Sequence, residues 1–251
     1  MPFTLNILHT NDFHNHLSRR QAEFIRETKR SLTNVLLLDA GDAVSAGNIG
    51  VRPGGEPILT LMSDIGYDAM TMGNREFHVA DSLLRLKINK AEFPILCANI
   101  RWREDRGEQL PVTSSTIAEL PDGLKVGIFG LTVPMVTAKM SARMVSAFLF
   151  DDPIEIAQGE IRSLRSKVDV LIALTHIGAR EDEHLAGLCP ELDLIVGGHS
   201  HAVLTAPKLV GEVPVVQAGW FGHYLGHVEL PFDGCVDRSG VQGRLISLKG
   251  Y

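Results

Sequence analysis

Cysteines, basic residues and long apolar runs are all scarce in this sequence. The 251 residues include three cysteines, Cys97, Cys189 and Cys235, an odd set with no Cys-x-x-Cys spacing. This argues against a disulfide framework. The formal net charge is −6, so the chain lacks the basic surface typical of nucleic-acid binding, and we expect no such partner. No apolar run reaches the length of a membrane span, and we expect no membrane partner.

The N terminus also lacks the features of a signal peptide. Met1-Pro2-Phe3 leads directly into a predicted strand, with no basic region and no apolar region before it. Together with the sparse cysteines, this predicts a cytoplasmic protein whose thiols are reduced, with Cys97 in the core. A hydrophobic content of 45% is sufficient for a substantial core in a chain of this length.

The most informative stretch runs from Val35 to Asp42. Its four apolar residues show no alternation, which predicts a strand buried on both faces. Gly41 permits a tight turn directly after this strand. Open α/β sheets place ligand chemistry at the carboxyl ends of buried strands. Asp42 alone is more typical of a turn than of a metal site, so its significance depends on the other strand ends.

Further elements follow from periodicity and turn residues. Pro121-Asp122-Gly123 predicts a hairpin between strands at 114–119 and 125–131, and Asp152-Pro153 predicts the start of a helix reaching about residue 167. A strand is predicted at 93–100, followed by a charged, solvated segment at 101–109. For segment 132–149 the sequence does not distinguish a plain loop from a loop with a short helix that lies over the cleft.

Five predicted strands share an unusual ending, because each leads into an aspartate, asparagine or histidine. In chain order the endings are Asp12-Phe13-His14, Gly41-Asp42, Gly73-Asn74, Thr175-His176 and Gly197-Gly198-His199-Ser200-His201. Taken singly, the first four are more typical of polar turns or hydrogen-bonded core histidines than of ligands. The fifth is the most specific, since two imidazoles flank a serine behind a glycine pair, which suits a metal.

Taken together, these endings supply seven nitrogen and oxygen donors and no thiolate. The donors are Asp12, His14, Asp42, Asn74, His176, His199 and His201. Such a set suits two divalent ions such as Mn, Fe, Co or Zn, with Asp42 serving both. Two ions about 3.5–4 Å apart are typical of phosphoryl displacement. The residues therefore predict an enzyme that hydrolyses a phosphate ester with a hydroxide held by metal.

The same motifs resemble a known family. In order, Asp-x-His, Gly-Asp, Gly-Asn-x-Glu, Thr-His and Gly-His-Ser-His resemble the motifs of calcineurin-like metallophosphoesterases. The longer segments 8–12, 55–58 and 66–70 are similar to the catalytic N-terminal domain of bacterial 5'-nucleotidases and 2',3'-cyclic phosphodiesterases. The resemblance, which extends over nearly the whole chain, implies an α/β fold, a four-layer α-β-β-α sandwich. It assigns one metal to Asp12, His14, Asp42 and His201, and the other to Asp42, Asn74, His176 and His199.

Two features depart from the family pattern. Family members carry Gly-Asn-His-Glu-Phe-Asp, in which the histidine contacts phosphate and assists the leaving group and the aspartate orients it; here Arg75 and His78 stand at those two positions. Arg75 stays protonated, so it can clamp a phosphate but cannot donate a proton. His78 either supplies that proton from the same face of a helical turn, or is a surface histidine and acid catalysis is lost. Residues 1–251 are also expected to form a single catalytic domain without the family's C-terminal substrate domain.

The sequence thus predicts dimetal-dependent hydrolysis of small phosphate mono- or diesters, with nucleotides the leading candidates. Arg75 and His78 keep a second possibility open, a metal- and phosphate- or nucleotide-binding protein with weakened catalysis. A third is a 2',3'-cyclic nucleotide phosphodiesterase. No residue identified in the sequence reads a base or a sugar, so the sequence does not determine the ester. It also does not determine the metal or the oligomeric state.

Overall fold

The computed structural model describes residues 3–47, 50–104 and 107–251. Residues 1 and 2 of the N-terminal segment, residues 48 and 49, and residues 105 and 106 of the segment predicted to be solvated lie outside the described residues. Within the described part, the chain forms five α-helices: α1 Arg19–Arg30, α2 Pro57–Ile65, α3 Asp81–Ile88, α4 Pro153–Leu164 and α5 Ala179–Leu188.

Two six-stranded sheets form the centre of the fold. The first contains β1 Phe3–Thr10, β2 Val35–Asp39, β3 Ala69–Thr71, β4 Ile95–Leu96, β13 Tyr224–Phe232 and β14 Gln242–Ser247, in the spatial order β14-β13-β1-β2-β3-β4. The second contains β6 Ser115–Glu119, β7 Lys125–Thr132, β9 Val170–His176, β10 Leu194–Val196, β11 Lys208–Val210 and β12 Val213–Val216, in the order β11-β12-β10-β9-β7-β6. A separate ribbon pairs β5 Ile100–Trp102 with β8 Phe148–Phe150.

The apolar runs of the central strands β2 and β9 are buried on both faces. Leu36 and Leu38 of β2 pack between the two sheets, whereas Leu37 packs with residues of α1 and α2 on the outer face. In the second sheet, Ile172 of β9 packs between the sheets and Leu171 packs with residues of α4 and α5. Three apolar clusters therefore separate four layers, α1–α3, the first sheet, the second sheet, and α4 with α5, which confirms the predicted sandwich.

Helix starts follow the local sequence. Ser18 and Gln21 form a reciprocal capping box at the start of α1. The Asp152 carboxylate accepts hydrogen bonds from the amides of Ile154 (2.9 Å) and Glu155 (3.2 Å). The predicted start at Asp152-Pro153 is confirmed, and after Leu164 a short 3-10 helix, Arg165–Lys167, continues the predicted segment.

The strand predicted at 93–100 is wrong as a single element. β4 ends at Leu96, and the chain then leaves the first sheet to join the β5–β8 ribbon. The buried Asn99 side chain explains the break: its Nδ2 donates to the Thr132 carbonyl (2.8 Å), and its Oδ1 accepts from the Thr132 amide (3.0 Å). These bonds satisfy backbone groups of β7 in place of a continuing strand.

Two neighbouring segments also differ from their predictions. Trp102 lies in the segment predicted to be solvated, yet it is buried and stacks on Phe148 with ring centroids 4.8 Å apart. The undecided segment 132–149 contains a short 3-10 helix, Ser141–Met144, and the start of β8. The hairpin of β6 and β7 and the burial of Cys97 are confirmed. No helix in the described residues has the length and apolar character needed to cross a bilayer.

Gly130 offers a test of how closely the two sheets approach. A Cβ on this residue of β7 would lie 2.5 Å from backbone atoms of Leu96 in β4. We expect Gly130→Ala to lower the free energy of unfolding by about 1–3 kcal/mol, because the sheets must move apart. Urea unfolding measures this difference.

The matched control is Gly159→Ala, in the interior of α4. A Cβ there would have no neighbour within 4 Å, so the substitution should raise the free energy of unfolding by about 0.5–1 kcal/mol through helix propensity alone. Equal effects of the two substitutions would contradict tight packing at Gly130.

Candidate metal centre

The seven predicted ligands converge at the carboxyl edges of the two sheets. The first sheet supplies the four residues that follow β1, β2 and β3. The second sheet supplies the last residue of β9 and two residues after β10. In that order the residues are Asp12, His14, Asp42, Asn74, His176, His199 and His201. Parallel pairing places these strand ends at one edge of each sheet.

One group of donors combines both sheets around Asp12. The Nε2 atoms of His14 and His201 lie 3.2 Å apart, and His201 Nε2 lies 3.3 Å from Asp12 Oδ1. Asp12 Oδ2 accepts hydrogen bonds from Asn11 Nδ2 (2.8 Å) and the His199 amide (2.9 Å). Asp12 Oδ1 is buried and accepts no hydrogen bond from any described residue. A buried carboxylate oxygen without a donor, facing two imidazoles, fits a divalent cation.

A second group lies beside it. His176 Nε2 is 3.4 Å from Asp42 Oδ1 and 3.3 Å from Asn74 Oδ1, and His199 Nδ1 is 3.1 Å from Asn74 Oδ1. Ligand atoms about 2.1 Å from a shared ion stand about 3.0–3.4 Å apart in octahedral or tetrahedral geometry, and these spacings fall in that range. Single ligand atoms of Asp12, Asp42 and His176 also lie within 4.8 Å of one another. The two groups are therefore contiguous.

The tautomer of His176 is set by its hydrogen bond to the backbone. His176 Nδ1 lies 2.7 Å from the carbonyl oxygen of Ala40, which can only accept, so Nδ1 carries a proton. In the neutral ring the lone pair is then on Nε2, which faces Asp42 and Asn74. A Cβ at Gly198 would lie 2.5 Å from that same carbonyl oxygen. The glycine at this position therefore permits a close approach of the two backbone segments.

The electrostatics of the site suit cation binding. Burial opposes a charge on His176, but the adjacent Asp42 outweighs it and raises the pKa of His176 to about 9. Burial works to raise the pKa of Asp42, yet His176 and the Arg75 amide lower it. Burial lowers the pKa values of His14 and His199, which favours the neutral, ligating form. The Asp42 charge that raises the pKa of His176 is also a charge that a bound cation would neutralise.

Most of the donors have a strained backbone. Five of the seven adopt left-handed φ angles: Asp12 (53°), His14 (47°), Asp42 (56°), His199 (75°) and His201 (57°). Residues other than glycine rarely adopt these angles, and such strain clusters at active sites and ligand clamps. The conformations turn successive side chains from the strand ends into one space.

A buried glutamate, to which the sequence analysis assigned no role, joins two of the ligand loops. Glu76 accepts hydrogen bonds from the amides of Asp42 (3.0 Å), Val44 (3.0 Å) and Gly73 (2.8 Å). It thereby fixes the loop after β2 against the loop after β3. Burial, with Asp42 nearby, raises the pKa of Glu76 to about 7. The Gly-Asn-x-Glu motif was the available signal for this residue.

A second buried network holds the Gly-Gly-His-Ser-His loop. Asp182 accepts from Thr175 Oγ1 (2.5 Å) and Gln217 Nε2 (2.9 Å), and Gln217 Oε1 accepts from Ser200 Oγ (2.9 Å). Burial raises the pKa of Asp182 to about 7. Sequence reasoning missed both Asp182 and Gln217, because an acid in the first turn of a helix and a glutamine after a strand are common at the surface.

The two departures from the family pattern have different surroundings. The Arg75 amide donates to Asp42 Oδ1 (2.7 Å), and its half-exposed side chain places Nε 3.9 Å from Asp42 Oδ2. His78 is buried, with 6% of its surface exposed, and its Nδ1 accepts from the Ala80 amide (2.9 Å). The interpretation of His78 as a surface histidine is therefore wrong.

Comparisons with known proteins agree with this site. Residues 5–203 match the family model for calcineurin-like phosphoesterases. The chain is 33% identical to the trifunctional nucleotide phosphoesterase protein YfkN of Bacillus subtilis, over 91% of this chain and 18% of that protein. It is 31% identical to the 5'-nucleotidase of Homo sapiens, over 98% of this chain and 48% of that protein.

A solved structure gives the same result. The crystal structure of a 5'-nucleotidase precursor from Thermus thermophilus matches with a TM-score of 0.82 and 28% identity, over 98% of this chain and 54% of that one. The chain thus spans about half the length, or less, of these three proteins. With its fold, its converging donors and a family match over most of its residues, the chain belongs to the calcineurin-like phosphoesterase family.

Proposed function

We propose that this chain is the catalytic unit of a two-metal phosphoesterase acting on small phosphate esters, with nucleoside monophosphates as leading substrates. The observation that carries the proposal is the convergence of seven donors from two sheets beside the buried Asp12 Oδ1, which accepts no hydrogen bond from the described residues. The names of the relatives, which are nucleotide phosphoesterases and 5'-nucleotidases, support the substrate class. The cytoplasmic location and the single-domain organisation stay predictions.

The proposed ligand sets share Asp42. One ion would lie on Asp12, His14, Asp42 and His201, and the other on Asp42, Asn74, His176 and His199. Mn, Fe, Zn and Co all suit these donors. When bound, two such ions would supply Lewis acidity and would lower the pKa of bound water toward neutrality. The protein contributes orientation: Ala40 holds the ring of His176, and Glu76 holds the amide of Asp42.

Arg75 is the residue best placed to bind the phosphate. Its amide is fixed on Asp42, and 43% of its side chain is exposed, so the guanidinium can reach an ester held at the metal centre. A guanidinium can make two parallel hydrogen bonds to phosphate oxygens, but it does not give up a proton. We propose that Arg75 clamps the ester and stabilises negative charge on its non-leaving oxygens.

The leaving oxygen lacks an evident acid in this proposal. His78 is buried, and its Nδ1 accepts a hydrogen bond from the Ala80 amide. This bond fixes the ring against the backbone. These contacts favour a packing role over proton transfer to a departing alkoxide. We therefore propose that hydrolysis proceeds without a histidine acid at this position, which limits esters with basic leaving groups most.

An assay panel tests the proposed function. With added manganese, the protein should hydrolyse AMP and 4-nitrophenyl phosphate; chelation should abolish both activities, and manganese should restore them. If metal content is confirmed and every trace stays flat, the protein is a metal- and phosphate-binding protein instead. A strong preference for 2',3'-cyclic AMP would favour the cyclic phosphodiesterase.

Asp42→Asn tests the shared ligand. We expect it to abolish activity and to lower the content of both metals, because one carboxylate serves both ions. Elemental analysis after manganese loading measures the ions per chain. Asp39→Asn is the control: Asp39 accepts from Thr10 Oγ1 (2.6 Å) and the Gly41 amide (2.9 Å), and should act only through orientation. Two metals retained in Asp42→Asn would overturn the assignment.

Leaving-group dependence tests the roles of Arg75 and His78. Since loss of a general acid typically costs about 10²–10⁴-fold, we expect a preference for the aryl ester over AMP beyond that of leaving-group chemistry, and inhibition by inorganic phosphate. The double substitution Arg75→His with His78→Asp should raise turnover of AMP about tenfold or more relative to the aryl ester.

The single substitution His78→Ala is the matched comparison. It should affect AMP and 4-nitrophenyl phosphate alike if His78 only packs. If it selectively removes hydrolysis of AMP, while the double variant loses both activities equally, His78 is the acid and the proposed role is wrong.

A further inference from the structure

A loop of aromatic residues borders the metal centre and has no role in the function proposed above. This aromatic loop, residues 219–223, follows β12 and leads into β13. The rings of Phe221 and His14 have centroids 5.5 Å apart with an interplanar angle of 75°, and Trp220 stacks on His201 at 5.7 Å and 19°. The rings of His16 and Phe221 have centroids 4.4 Å apart. Two predicted metal ligands, His14 and His201, thus contact the aromatic loop.

The aromatic loop is held rigidly on the residues that carry the site. The Phe221 amide donates to the carbonyl oxygen of Asp12 (2.8 Å). Asn11 Nδ2 donates to the Gly219 carbonyl oxygen (2.5 Å), and Gln21 Nε2 donates to that of Gly222 (3.0 Å). The aromatic loop is therefore positioned by the same turn that positions Asp12.

Phe221 combines a strained backbone with an exposed side chain. Its φ angle is 54°, a left-handed value that bulky residues rarely adopt, and 38% of its surface is exposed. Because the ring is only partly buried, packing within the protein offsets little of this strain. Strained residues of this kind cluster at ligand clamps, so the exposed ring points to a ligand with an apolar, planar group.

We propose that Phe221, flanked by His16 and Trp220, is a stacking surface for the base of a nucleoside phosphate whose phosphate lies at the metal centre. The inference rests on the function proposed above and adds the residue that selects a leaving group carrying a planar base. Every nucleobase offers a flat π face, and stacking on an aromatic side chain tolerates different bases. The surface therefore favours nucleotides over sugar phosphates with little discrimination among bases.

Matched substrates with and without a base test the proposal. AMP and ribose 5-phosphate share the same 5'-phosphate and sugar. We expect Phe221→Ala to lower kcat/KM for AMP about tenfold or more, through KM, and to leave ribose 5-phosphate nearly unchanged. Phe221→Tyr should keep activity on AMP, and Phe221→Leu, which retains apolar volume without a π face, should behave like Phe221→Ala.

Binding of adenosine, which carries no phosphate, provides a readout that does not need turnover. Trp220 lies in the aromatic loop, whereas Trp102 is buried against Phe148. We expect adenosine to quench the fluorescence of the metal-loaded protein, and Phe221→Ala to weaken this binding. In Trp220→Phe the change should disappear, which assigns it to the loop.

The outcomes separate this inference from the function on which it rests. Equal losses on AMP and ribose 5-phosphate in Phe221→Ala, or a loss of metal content, would make Phe221 a support for His14 and overturn the stacking role. Unchanged kinetics on AMP with no adenosine binding would also overturn it, while the phosphoesterase function would stand. Adenosine binding without hydrolysis of any ester would overturn the proposed function and leave the stacking surface in place.

Discussion

The hydrogen bond from His176 Nδ1 to the carbonyl oxygen of Ala40 is the contact on which the geometry of the candidate metal centre most directly depends. Ala40 follows β2 of the first sheet and His176 ends β9 of the second, so the bond joins the sheets at their carboxyl edges. Behind it, the interface consists mainly of leucine, isoleucine and valine side chains. Because a buried polar group left without a partner costs about 1–3 kcal/mol, this bond disfavours other relative positions of the sheets.

Buried carboxylates transmit that alignment to the ligand loops. Glu76 accepts hydrogen bonds from amides of the loops after β2 and β3. Asp182 accepts a hydrogen bond from Gln217, which in turn contacts the loop after β10. Both carboxylates have pKa values of about 7, raised by burial, which reflects how poorly the interior solvates their charge. Their hydrogen bonds offset part of that cost, and they hold the loops in one geometry.

The same geometry explains why so many donors have left-handed backbones. Each such residue costs on the order of 1–3 kcal/mol, and five of the seven donors share this feature. A large apolar core between and outside the sheets supplies stability that can offset the strain. Phe221 repeats the pattern in the aromatic loop. Strain is thus concentrated where side chains must meet a ligand.

The sequence alone identified the candidate ligands and their places at strand ends, because a strand buried on both faces leaves an uninterrupted apolar run that stops where polar residues begin. The run before Asp42 and the Gly-Gly-His-Ser-His segment are examples. It also indicated Asp152 as a helix start, since capping is local. Only the tertiary structure decided which strands share a sheet, where Asn99 diverts the chain, that His78 is buried, and that Asp182, Gln217 and Phe221 lie beside the candidate ligands. These depend on contacts between distant segments, such as the 136 positions that separate Ala40 from His176. Local periodicity carries no information about such contacts, because they form only when the two sheets pack.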